Sequence, residues 1–95
     1  MKSSKNTAVI TVLGKDRVGI IAGISNLLAQ YSININDISQ TIMDDVFTMI
    51  MMVDLQDLSI ENSDIVDKLK AFGEENGLSV SIQHTDLFNA MHRIW

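Results

Sequence analysis

Between Val46 and Val53 the chain reads Val-Phe-Thr-Met-Ile-Met-Met-Val, apolar at every position but Thr48. Such a run is too short to cross a bilayer as a helix and too rich in strand-forming residues to be a loop. It predicts a strand with apolar side chains on both faces, which belongs in the middle of a sheet covered on both sides. Asp44-Asp45, just before it, supplies a tight turn, so the preceding segment should return as its hairpin partner. That partner, Ile33 to Met43, alternates unevenly: Ile33 and Ile35 stand two apart, Ile38 three further on, and Gln40 and Ile42 resume the even spacing. A slip of one residue predicts a β-bulge near Asn36-Asp37.

The same rules extend in both directions. Ala8 to Leu13 is a β-branched run ended by Gly14 and reads as a first strand. Ile20, Ile24, Leu27 and Tyr31 recur at helical spacing, with Ile21 and Leu28 widening the stripe, and Asp16 suits the N-cap of that helix. After the polar loop Gln56 to Asn62, Asn62 or Ser63 should cap a second helix carrying Ile65, Leu69 and Phe72. Asn76-Gly77 ends it, with Gly77 in the left-handed position and Leu78 folding back on the last turn. Leu78 to Gln83 alternates as a half-buried fourth strand. Residues 86–95 read as a short tail helix with Phe88, Met91 and Trp95 on one face.

Strand, helix, strand, strand, helix, strand is the order of two split βαβ units. It predicts an α+β, ferredoxin-like βαββαβ sandwich, with a four-stranded antiparallel sheet, two helices on one face and a short C-terminal helix. The first and third strands should be central. Residues 1–6 form a polar head expected to be disordered, and residues 7–95 one domain. Two helices cover only one face, leaving the tail helix or a second subunit to cover the other.

Composition narrows the function. Twelve acidic residues against seven basic ones give a net charge of -5, which opposes phosphate-neutralising nucleic-acid binding. RNA-recognition domains of this topology also stack bases on aromatics of the middle strands, where this chain offers only Phe47. Without cysteine there is no disulfide, zinc-thiolate site or thiol catalysis. The head lacks the pattern of a signal peptide and no stretch approaches a membrane span, so a cytoplasmic location is expected. At 46% apolar residues a chain this short is expected to bury part of its surface in a homodimer.

No catalytic triad, P-loop or dinucleotide fingerprint is present, and no cofactor is implied. Acylphosphatases share the topology, and Arg17 sits in the corresponding loop, but their Gln-Gly-Val-x-Phe-Arg signature is missing. His84, Asp86 and His92 match no tight metal-ligand spacing. Met43, Met49, Met51 and Met52 fit packing better than soft-metal binding. An enzyme is therefore not expected. The strongest local signal is Gly14-Lys15-Asp16-Arg17-Val18-Gly19-Ile20, which brings a chain reversal, two glycines and a helix N-terminus together. Free amides there can hold a carboxylate, although the pattern alone fits a plain N-cap and glycine turn equally well.

That segment resembles the Asp-Arg-Pro-Gly start of helix one in the ACT domain, a small-molecule-sensing module of amino-acid-metabolism enzymes. Tyr31-Ser32-Ile33-Asn34-Ile35 is similar to the same family's Gly-x-Asn-Ile segment leading into strand two. The resemblance covers about Thr7 to His84. The tail is similar to that of stand-alone bacterial and archaeal members, which are related to the two-domain regulator of the glycine cleavage system. It implies an amino-acid effector bound at a dimer interface through Gly14, Asp16, Arg17, Gly19, Asn34 and Ile35, and a further, regulated protein as partner. A dimerisation module without a ligand is the alternative. Val18 stands where the family usually has proline, and Ser32 where it has glycine.

Overall fold

The computed structural model describes residues 6–15 and 18–84. Six elements follow in the expected order: β1 (Thr7–Lys15), α1 (Ile20–Gln30), β2 (Asn34–Met43), β3 (Val46–Asp54), α2 (Asn62–Asn76) and β4 (Leu78–His84). The sheet runs β2-β3-β1-β4, antiparallel at every pair, so the first and third strands are central. This is the ferredoxin-like βαββαβ fold.

Alternation along the strands sorts the side chains. Ala8, Ile10 and Val12 of β1 stand opposite Val53, Met51 and Met49 of β3, on one face. These six are fully buried and share a single cluster with Ile24 and Leu28 of α1 and with Ile65 and Leu69 of α2. One cluster fed by both helices puts both on the same face of the sheet. Each large aliphatic side chain buried there contributes about 1.5–3 kcal/mol.

The hairpin and bulge lie where the spacing places them. Asp44 adopts a left-handed conformation (φ 56°) at the turn, and the β2–β3 register shifts between Ile35 and Asp37. Gly77 ends α2 in the left-handed region (φ 68°), its N–H donating to the Gly73 carbonyl.

Several local expectations are corrected. Gly14 does not end the first strand, which runs on to Lys15; it pairs with Phe47 on one side and Leu78 on the other. A Cβ at this position would lie 2.6 Å from the Leu78 Cδ2 atom, so the glycine permits close strand packing rather than a turn. Helix α1 starts at Ile20 with Gly19, not Asp16, as its N-cap. Glu61 precedes α2 in an extended conformation, ahead of Asn62 and Ser63. Finally, β3 is not covered on both faces by the described residues: Phe47, Met49, Met51 and Val53 are buried, whereas Val46, Ile50 and Met52 are exposed.

Candidate functional site

A cleft of about 260 Å³ opens on the helix-covered side of the sheet, beside edge strand β2. The first turn of α1 forms one wall, with Gly19, Ile20, Ile21 and Ala22; Gln40, Ile42 and Phe47 form the other. Register explains the assembly. The Asp44-Asp45 turn sets Met43 opposite Val46, hence Ile42 opposite Phe47, and β1 brings Gly14 to the other side of Phe47. The volume is below the roughly 300–1,000 Å³ of drug-sized pockets and suits a molecule of amino-acid size.

Helix α1 meets this cleft with its first turn, whose N-cap Gly19 makes no side-chain cap hydrogen bond among the described residues. Gly19 holds φ 92°, a conformation that favours glycine, and its carbonyl accepts the helical bond from the Gly23 N–H, at 2.9 Å. A Cβ there would touch nothing, so conformation and not space fixes the residue type. The first turn of α1 carries no acidic side chain, which leaves its partial positive charge uncompensated by the described residues. Uncharged walls and backbone donors at one end make a place for a small molecule with an apolar body and an anionic end.

Of the residues expected to form a site, Gly14 and Gly19 lie at this end of the sheet. Asn34 and Ile35 do not. They start β2 opposite Asp54 and Val53, whereas the cleft lies at Phe47. Seven residues of β3 separate the two ends, about 23 Å at strand rise. The Asn34 Nδ2 donates to Asn36 Oδ1 at 2.9 Å, and the Ile38 N–H donates to Asp37 Oδ1 at 2.9 Å, so side chains of the bulge brace the start of the edge strand. Asp16 and Arg17 lie outside the described residues, as do Asp86 and His92.

Motif reasoning missed Gln40, Ile42 and Phe47, and took Ile21 for part of the buried stripe when it is exposed at the cleft. Counting back from the Asp44-Asp45 turn would have placed Ile42 and Phe47 beside Gly14. Among the described residues no three His, Cys, Asp or Glu side chains are placed to hold a metal ion. No helix among them is long and apolar enough to cross a membrane.

Comparison with known proteins agrees with this architecture. A UPF0237 protein of Methanopyrus kandleri is 48% identical over 87 residues, covering 92% of this chain and 97% of the relative. The structure of an ACT domain protein from Streptococcus pneumoniae superposes with a TM-score of 0.75 at 35% identity, covering 94% of this chain and 97% of that one. A structure provisionally described as a glycine cleavage system transcriptional repressor matches at TM-score 0.66 and 28% identity, over 81% of this chain and 44% of that one. The family model of the ACT domain matches residues 6–83, and the chain belongs to that family.

Proposed function

We propose that this protein is a regulatory, non-catalytic module that binds an amino acid or similar small effector between two copies of itself. One observation carries the reading: the two halves of the expected site lie at opposite ends of one sheet, joined along its exposed edge strand β2. An edge strand presents unpaired N–H and C=O groups to a further strand. If two β2 strands pair antiparallel about a twofold axis over their full length, residue 34 of one faces residue 43 of the other. The partner copy's Asn34 and Ile35 then reach the mouth of the cleft beside Ile42. Each site is completed by the other chain.

In that site the amides of the first turn of α1, from Gly19 onward, hold the effector's carboxylate. Ile21, Ile42 and Phe47 receive its apolar part. The Asn34 amide from the second copy orients the remaining polar group. Membership of the ACT family supports a sensing role, and the regulated protein is the outlet for the signal.

A thermal-shift screen of amino acids on ligand-free protein tests the proposal. An effector at one hundred times its Kd should stabilise the fold by about 2.7 kcal/mol, a rise in Tm of roughly 10 °C or more. Asn34→Ala should reduce that shift by more than it lowers the Tm of the free protein, where it removes only the exposed hydrogen bond to Asn36. A dimer that responds to none of the twenty amino acids would instead support a pure dimerisation module.

A further inference from the structure

Asn76 is the only asparagine of the chain that is followed by glycine. That pair is chemically the most prone to deamidation, because a residue without a Cβ leaves its own backbone nitrogen unhindered. In the reaction the Gly77 nitrogen gives its proton to hydroxide and bonds to Asn76 Cγ. The Cγ–Nδ2 bond breaks, and Nδ2 takes a proton from water and leaves as ammonia, which restores the hydroxide. The cyclic imide then takes up water at either carbonyl and opens to aspartate or to isoaspartate, whose main chain runs through Cβ.

The last turn of α2 holds every reacting group away from this course. The Nδ2 of Asn76, the leaving group, donates to the Phe72 carbonyl at 2.9 Å. The Gly77 N–H, which must lose its proton, donates to the Gly73 carbonyl, with Gly77 left-handed at φ 68°. Attack requires the Asn76 Cα–C and Cα–Cβ bonds to turn, and that breaks both hydrogen bonds. The chain beyond is tightly seated as well. A Cβ on Gly73 would lie 2.6 Å from the Leu78 carbonyl oxygen, and one on Gly14 would lie 3.2 Å from that of Gly77.

We propose that Asn76 is a covalent modification site controlled by the last turn of α2. It converts only when that turn opens locally, with the sheet intact, and conversion weakens the turn that protected it. Gly77 is exposed, so water and hydroxide reach the site as soon as the turn opens. The product replaces the donor to the Phe72 carbonyl with a carboxylate. Its charge falls at the negative end of the helix dipole, beside Glu74 and Glu75, where the last turn carries no basic residue. The isoaspartyl form also adds an atom to the main chain in the tight passage between Gly73 and Gly14. Both products therefore open more readily than the parent, whether or not an effector binds.

Peptide mass spectrometry of the full chain in mildly alkaline buffer follows the exchange of the Asn76 amide for a carboxyl. In the urea-unfolded chain Asn76 should convert faster than any other asparagine. In the native protein it should convert at least about tenfold more slowly, which corresponds to a local opening of about 1.4 kcal/mol. Below the unfolding transition added urea should leave the native rate nearly constant, since a local opening exposes little surface. Glu74→Lys, which puts a cation in the last turn, should slow the native rate about threefold and leave the unfolded rate unchanged. Asn76→Asp, one of the two products, should lower the urea midpoint. Equal native and unfolded rates overturn the proposal, as does a native rate that climbs with urea in step with global unfolding. A native rate unmoved by Glu74→Lys, or an Asn76→Asp midpoint no lower than that of the parent, overturns it too.

Discussion

Ser32 carries a backbone conformation that its side chain opposes. Its φ of 63° is left-handed, and its N–H donates to the Ala29 carbonyl while the Ile33 N–H donates to that of Leu28. These two bonds close the end of α1 in the Schellman pattern, whose left-handed residue is usually glycine. The departure from the family's glycine is thus one of residue type, and the helix exit keeps the shape that glycine would give it. An L-residue in this region costs about 1–2 kcal/mol, while glycine costs about 0.4–1 kcal/mol through the more flexible unfolded chain. Relief exceeds cost. Ser32→Gly should therefore raise stability by about 0.5–1 kcal/mol, read as a higher urea midpoint at unchanged slope. A lower midpoint would mean that the serine hydroxyl contributes more than the strain removes.

At the scale of elements, edge strand β2 is where the proposed pairing of two copies would form. It is exposed along nearly its whole length, bulged at its start and free of partners on its outer side among the described residues. Ile38 sits near its midpoint, where a twofold axis through paired β2 strands would pass. Ile38→Lys would set two ammonium groups close together across that axis, and like charges on facing strands repel. Sedimentation should then show the dimer dissociation constant raised about tenfold, equivalent to about 1.4 kcal/mol. An unchanged dissociation constant would place the interface elsewhere. Most of the elements were legible in the sequence because periodicity reports burial: the three-residue step from Ile35 to Ile38 marked the bulge, and the apolar run at 46–53 marked a central strand. Faces were less legible. Val46, Ile50 and Met52 are as apolar as Phe47 and Met49, so residue type could not separate the core side from the open side. The α1 start was also misplaced, because Asp16 has the side chain of a cap while Gly19 has the backbone conformation the turn uses.

For the whole molecule, the question is whether the site belongs to one chain or to two. In the proposed site Gly14 and Gly19 supply one half and Asn34 the other, and each sits in a short motif of the sequence. That they lie about 23 Å apart was not legible, because separation depends on strand register rather than on residue type. A mixing experiment can decide. Ile21→Glu fills the cleft of its own copy with a charge, and Asn34→Ala removes the group supplied to the cleft of the partner. In a homodimer of either variant, both sites are damaged and binding should be lost. In a heterodimer of the two variants, both defects fall on the cleft of the Ile21→Glu copy, where the Asn34→Ala copy reaches across. The other cleft then combines an intact first turn of α1 with an intact Asn34. Random pairing makes about half of the dimers mixed, each with one sound site of two, so an equimolar mixture should recover about one quarter of the wild-type binding capacity. Capacity is read by calorimetric titration after the variants are unfolded and refolded together. If the site were complete within one chain, each damaged copy would stay damaged in any company, and the mixture would bind no more than the variants alone.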